Sequence, residues 1–287
     1  MKIAICFFSY EQDAALLNVA LRGVKRLQEM NPADILDVYV YDDAAAPMGR
    51  EAVPGWVEYA VTDFDRKGNL NGLECILGQL GIYAGLTGGA AEYDWVIKAD
   101  SDTYINCLEW LRGVDARRVG YVGTNHVEDY GSGSCYALSR VGVAGVKGLL
   151  DSGVVRKRCA VASCEDRVFC RLVRMTGLGM ELRRNAENEI KPLMLYHDWW
   201  HGGERVELVK LVEAAAVDFK RCRWHTPAET WEDDRAQALE RMEAYADMMD
   251  ARDAAAAGEA AVEDEEVAEA LGWCGETEAE WCEAGAE

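Results

Sequence analysis

The first 41 residues alternate between two short apolar runs and one amphipathic segment. Ile3–Phe8 and Ile35–Tyr41 are apolar over the length of a strand, which is typical of strands buried in a sheet. Apolar residues at helical spacing predict a helix over about residues 13–30. A strand, a helix and a second strand in this order predict a parallel, doubly wound α/β sheet. Trp56–Val61 is expected to add a third strand.

Polar residues follow the first two predicted strands. Ser9 and Tyr10 come after the first strand, and Asp42 and Asp43 come after the second. Because the carboxyl ends of parallel strands meet at one edge, where open α/β sheets bind ligands, we expect these four residues to hold the base and ribose of a nucleotide. The first strand is not followed by G-x-G-x-x-G, which argues against a dinucleotide-binding fold.

An acidic pair follows a further apolar run. Trp95–Ile97 predicts a buried strand, and Asp100, Ser101 and Asp102 come shortly after it. Asp100 and Ser101 are also expected to contact the nucleotide. Residues two apart in an extended backbone point the same way, so both carboxylates are expected on one side. Two close carboxylates need a counter-charge, and Mg²⁺ or Mn²⁺ shared with phosphate oxygens provides one. A D-x-D alone is also typical of a surface turn, but the preceding buried strand favours a metal site.

Lys67 and Asn71 lie in a polar loop before a predicted helix. A lysine and an asparagine at a helix start can steady a diphosphate through charge and backbone N–H groups. A solvated loop with an N-cap explains the same residues equally well.

Secondary structure continues beyond the acidic pair. Leu108–Leu111 is expected to begin a short helix, and Val119–Asn125 predicts a strand. Gly131–Arg140 runs from small residues into a short apolar strand, and Val141–Leu150 predicts the next helix. Glycines in such a segment let a bulky ligand approach the backbone.

A second acidic pair, Glu165 and Asp166, precedes an apolar helical face. Ser163 with Asp166 forms a capping-box pattern, and acidic side chains are favourable at a helix N-terminus. The alternative is that Asp166 or Glu165 is a general base. Both interpretations are compatible if Glu165 caps the helix while Asp166 is the general base.

Two of the four histidines, His197 and His201, lie in one aromatic segment. His197 is a candidate third metal ligand beside the carboxylates, and it is also compatible with a structural histidine. On a helix, residues four apart could bind Zn²⁺ together, although the sequence has no HExxH.

The chain has 287 residues and a formal net charge of −21, and most of that charge lies at the C-terminal end. Residues 226–287 contain 20 acidic residues and three arginines, a net charge of −17. We therefore expect a globular domain over 1–225 and an acidic helical or partly disordered extension over 226–287. The extension is a candidate site of self-association or protein binding. The scarcity of clustered lysine and arginine argues against a nucleic-acid partner.

The ten cysteines include no C-x-x-C pair, and several lie inside apolar runs, as expected of free thiols in a reducing compartment. No apolar run approaches the length of about 20 residues that a membrane span needs. The apolar run at the N-terminus is shorter than that of a signal peptide. We expect a cytoplasmic protein.

Four segments in a fixed order resemble a known family. KADSDTYI, GSGSCYALSR, CEDRVF and YH, at residues 98–105, 131–140, 164–169 and 196–197, look like the landmarks of the Fringe and β-1,3-glycosyltransferase group, which has a GT-A fold. The resemblance covers roughly residues 1–200. It implies that Asp100 and Asp102 bind metal and nucleotide, that Asp166 is the base, and that His197 completes the metal site.

This resemblance implies a metal-dependent glycosyltransferase of GT-A fold. The expected donor is a nucleotide-diphosphate sugar, UDP-linked, and the expected acceptor is a hydroxyl of a glycan or another molecule, with inversion at the anomeric carbon. Three alternatives stay open: a nucleotidyltransferase on the same fold, a catalytically silent sugar-nucleotide-binding or scaffold protein, and a Zn²⁺ hydrolase built on the two histidines.

Overall fold

The structure is a computed structural model. It describes residues 1–64, 73–88, 92–125, 131–152, 165–183, 195–197, 200–201, 204–205 and, within 239–254, all but 241, 245, 248 and 252. The chain divides into two compact units, Met1–Glu243 and Ala244–Glu287.

A seven-stranded sheet forms the centre of the first unit. Its strands are β1 (Lys2–Ser9), β2 (Ile35–Asp42), β3 (Glu58–Val61), β4 (Trp95–Asp100), β6 (Val119–Asn125), β7 (Gly131–Ser139) and β8 (Gly179–Arg183), and β5 (Thr103–Ile105) lies outside the sheet. The strand order is β3-β2-β1-β4-β7-β6-β8. Strand β7 pairs antiparallel with both β4 and β6, and the other pairs of this sheet are parallel.

Among the described residues, four α-helices flank this sheet: α1 (Ala14–Met30), α2 (Leu73–Gly88), α3 (Arg140–Asp151) and α4 (Glu165–Thr176). Side chains of α2, α3 and α4 share one apolar cluster with Ala4, Cys6 and Phe8 of β1. Because successive strand residues face opposite sides, Ile3, Ile5 and Phe7 face the other layer, where α1 contacts β1. All six of these strand residues are buried, as expected of a central strand covered on both faces.

In the part of the chain that the structure describes, two short strand pairs lie outside the main sheet. β5 pairs antiparallel with β9 (Leu195–His197), and β10 (Trp200–His201) pairs antiparallel with β11 (Glu204–Arg205). The β5–β9 pair brings the segment of His197 back to the residues that follow β4.

Helix α3 approaches strand β6 closely through two glycines. A Cβ atom added to Gly142 would lie 2.1 Å from the backbone oxygen of Gly120. Only a residue without a side chain permits this contact between helix and strand backbone.

The structure confirms the expected α/β class, a mostly parallel sheet flanked by helices. The prediction of a short helix beginning at Leu108–Leu111 is wrong. The backbone there makes turns with three-residue spacing, such as the bond from Leu111 N–H to the Leu108 oxygen (2.9 Å). The Trp110 indole N–H also donates to the Cys107 oxygen (3.0 Å), and Gly113 follows with a φ of 76°.

The described residues between 239 and 254 are helical, and Met242, Ala246 and Met249 are buried. The expected boundary at residues 225 and 226 lies outside the described residues, as do residues 255–287, so the division into domain and extension stays a prediction. No helix in the described parts of the chain combines the length and apolar character that crossing a membrane requires.

Candidate functional site

The carboxyl ends of β1, β2 and β4 meet at one edge of the sheet. Ser9 pairs in register with Asp42, and Phe8 pairs with Asp100. Two of the strand-end positions expected to bind a nucleotide therefore lie beside the start of the acidic pair.

The residues after β4 make a tight connection into β5. Asp102 is buried, whereas the side chain of Asp100 keeps 26% of its surface exposed. Ser101 is buried between them, and its hydroxyl donates to the Asp13 carboxylate at 2.8 Å. Since Asp13 directly precedes α1, this hydrogen bond fastens the D-x-D turn to the start of that helix. Ser101, which the sequence places among the nucleotide-binding residues, thus has a partner within the chain.

The backbone of His197 lies next to the acidic pair. In the β5–β9 ladder, His197 is directly opposite Thr103, the residue that follows Asp102. Opposite Cα atoms in an antiparallel pair are about 4.5–5.5 Å apart. The His197 side chain lies outside the described residues. Among the side chains that are described, no three of the histidine, cysteine or acidic type form a metal-binding group.

Lys98 lies beneath the acidic pair and is 2% exposed. Its ammonium is 2.7 Å from Asp100 Oδ1 and 3.2 Å from Glu165 Oε1, and it donates to the backbone oxygen of Gly133. The same ammonium lies 5.8 Å from the centre of the Tyr136 ring. The two acidic motifs, far apart in the sequence, therefore meet across one buried lysine.

Glu165 is held at both carboxylate oxygens. The Gln79 amide donates to Oε2 at 2.9 Å, and the Tyr136 hydroxyl donates to Oε1 at 3.3 Å. Desolvation by burial holds the pKa of Tyr136 well above its usual value, so its hydroxyl keeps the proton that it donates. With Lys98, these contacts tie Glu165 to α2, β4 and β7.

Asp166 occupies the first turn of α4, next to Glu165. It is buried, and a Cβ atom added to Gly133 would lie 3.1 Å from its Oδ2 atom. The carboxylate therefore faces the backbone of β7. Both acidic residues lie where the helix dipole favours negative charge. Ser163, the other member of the capping-box pattern, lies outside the described residues.

Asp42 is fully buried and organises the loop that follows β2. Its Oδ2 atom accepts hydrogen bonds from the backbone N–H groups of Met48 (2.8 Å) and Gly49 (3.1 Å) and from the Tyr59 hydroxyl (2.6 Å). Desolvation and the hydrogen bond to Asp42 raise the pKa of Tyr59 to about 12. These contacts give Asp42 a structural role, and its contact with a nucleotide stays a prediction.

Ser9 is the last residue of β1, and its backbone oxygen accepts a hydrogen bond from the Asp43 N–H at 3.0 Å. Asp43 accepts a hydrogen bond from Ala45 N–H at 2.7 Å, which closes an Asx turn. Ser9 is 2% exposed, and its hydroxyl has no hydrogen-bond partner among the described residues. A buried hydroxyl of this kind can accept or donate one more bond. Tyr10 is half-buried.

Three further residues singled out in the sequence are Lys67, Asn71 and His201. Lys67 and Asn71 lie outside the described residues, so their proposed contact with a diphosphate stays a prediction. His201 is described through its backbone, which pairs with Glu204. The pairing shows an extended strand at His201 and not a helix.

Lys98, Gln79 and Tyr136 are not among the site residues that the sequence predicts. One signal was present for Lys98: it lies two residues before Asp100 on a predicted strand, so the two side chains share a face. Gln79 and Tyr136 carry no local signal, because their contact with Glu165 depends on the packing of three separate elements.

No protein-family model matches the chain, and no curated protein sequence matches it. Several solved structures with partial similarity are glycosyltransferases. A galactosyltransferase, LgtC, in complex with donor and acceptor sugar analogues, has a TM-score of 0.46 and 12% identity, over 83% of this chain and 95% of its own. A Drosophila β-1,4-galactosyltransferase 7 mutant in complex with manganese, UDP-Gal and xylobiose has a TM-score of 0.40 and 12% identity, over 68% and 70%. The apo glycosyltransferase GlyE of Streptococcus pneumoniae has a TM-score of 0.40 and 12% identity, over 63% and 45%.

Proposed function

We propose that the chain is a metal-dependent glycosyltransferase of GT-A type. It would transfer a sugar from a nucleotide-diphosphate donor, UDP-linked, to an acceptor hydroxyl with inversion. The observation that carries the proposal is the meeting of the D-x-D turn and the N-terminus of α4 across Lys98. This contact brings a candidate cation site and a candidate base to one edge of the sheet.

The residues at this edge fit a divalent cation by their chemistry. Asp100 and Asp102 offer carboxylate oxygens, which hard cations such as Mn²⁺ and Mg²⁺ prefer, and the backbone of His197 lies one residue away in the ladder. We assign Asp102, His197 and, in part, Asp100 as the ligands. A cation bound there supplies charge neutralisation for the diphosphate leaving group.

The remaining roles are proposed from the sequence pattern, and the contacts of Glu165 favour Asp166 over it as the base. Ser9, Tyr10, Asp42 and Asp43 would contact the nucleoside, and Lys67 and Asn71 would contact the diphosphate. Asp166 would take the proton of the acceptor hydroxyl as general base, a step that contributes about 10²–10⁴-fold in rate. Glu165 is the weaker candidate for the base, because Lys98, Gln79 and Tyr136 already hold its two oxygens.

Donor hydrolysis and sugar transfer, measured with a panel of UDP-sugars and Mn²⁺, test the proposal. We expect Asp102→Asn and Asp166→Asn to lose activity by about 10²-fold or more. Asp151→Asn is the matched control, since Asp151 is an exposed helix residue paired with Lys147. Near-wild-type transfer by Asp166→Asn would remove the base assignment. Tight UDP binding without any turnover would instead support the catalytically silent alternative.

A further inference from the structure

Lys98 is a buried charge in the apolar interior of a central strand. The strand alternates so that Val96, Lys98 and Asp100 face the side of the sheet covered by α2, α3 and α4. In register, Lys98 lies directly opposite Tyr136 of β7. The Lys98 ammonium therefore lies between the D-x-D turn and the start of α4.

The ammonium is shared between two carboxylates of different exposure. Asp100 reaches solvent with 26% of its side-chain surface, whereas the side chains of Lys98 and Glu165 are 2% and 8% exposed. Such a network is a weak source of stability, because buried ion pairs replaced by apolar side chains of similar volume are often as stable or more so. The network fixes geometry: it determines where the exposed carboxylate of Asp100 lies relative to the helix.

We propose that Lys98 is a positioning residue for the donor site. Its ammonium holds the Asp100 carboxylate at a fixed place relative to Glu165, and so relative to the first turn of α4, which carries Asp166. Gln79 extends the same contact to α2, because its amide donates to Glu165. This inference rests on the proposed function.

Lys98→Met tests the inference, because methionine keeps the length and apolar stem but removes the charge. Isothermal titration of UDP in the presence of Mn²⁺ gives the dissociation constant. Loss of a residue that orients metal ligands typically costs about 10–100-fold in affinity. We therefore expect the dissociation constant of UDP to rise by about 10–100-fold. Lys147→Met is the matched control, since it removes an exposed lysine paired with Asp151. Its dissociation constant for UDP should stay within about twofold of the wild-type value.

The double variant Lys98→Met/Glu165→Gln keeps the test decisive if Lys98→Met fails to fold. It removes one positive and one negative charge, so it should be more resistant to urea than Lys98→Met alone. Because Asp100 still lacks its ammonium partner, UDP binding should remain weakened. Wild-type affinity for UDP with Mn²⁺ in either folded variant would overturn the role of Lys98. Absence of binding by the wild-type protein would instead refute the proposed function, and the inference with it.

Discussion

Gly133→Ala is expected to disturb the candidate base with little effect on stability. The added Cβ atom would lie 3.1 Å from Asp166 Oδ2 and 3.4 Å from its Cγ. Ordinary contacts of a Cβ atom begin near 3.4 Å, so the carboxylate has to move by about 0.3 Å. The φ angle of Gly133 lies outside the left-handed region, so alanine adds no backbone strain.

The size of the kinetic effect follows from this displacement. A shift of about 1 Å in a positioned group can cost about 10²-fold, so a shift of a few tenths of an ångström should cost roughly three- to tenfold in kcat. The change in the free energy of unfolding should stay within about 1 kcal/mol, since one polar side chain adjusts and no backbone contact breaks.

Steady-state transfer kinetics and urea denaturation of the same preparations measure the two effects. Gly148→Ala is the control, because a Cβ atom there meets no atom within 4 Å. This helix substitution should stabilise the protein by about 0.5–1 kcal/mol without changing kcat. Unchanged kcat in Gly133→Ala would refute the argument that Asp166 acts from this position.

Three further outcomes are expected. Gly142→Ala should lower the free energy of unfolding by about 1–3 kcal/mol or more in urea denaturation, because its Cβ would lie 2.1 Å from a backbone oxygen of β6; unchanged stability would contradict the close contact. Ser101→Ala should lower it by about 1–3 kcal/mol, because the buried carboxylate of Asp13 loses a hydrogen bond, and equal urea midpoints would speak against that bond. Burial raises the pKa of the Cys135 thiol, so iodoacetamide should label it slowly even at pH 9, as peptide mass spectrometry can show; rapid labelling of the folded protein would contradict its burial.

Much of the fold follows from local patterns in the sequence. Ile3–Phe8, Ile35–Tyr41 and the helix between them carry clear periodicity, and the structure places strands and a helix there. The reversed direction of β7 has no local signal, since it depends on how that strand pairs with β4 and β6. The helix predicted to begin at Leu108–Leu111 was wrong because four residues are too few for periodicity to distinguish a helix from a turn.

The sequence predicts which residues meet at the candidate site better than it predicts their hydrogen-bond partners. The meeting of Ser9, Asp42 and Asp100 at one edge follows from parallel pairing alone. The partners of Asp42 and Glu165 depend on tertiary packing, which no short pattern encodes. Asp42 shows the consequence, because its carboxylate serves the loop after β2 through backbone N–H groups that a sequence pattern does not reveal.

A crystal structure of the protein with UDP and Mn²⁺ tests the central claim most directly. We expect anomalous density for manganese in contact with the Asp102 carboxylate and with the diphosphate oxygens. Diphosphate and manganese bound elsewhere, with Asp100 and Asp102 touching neither, would contradict the account.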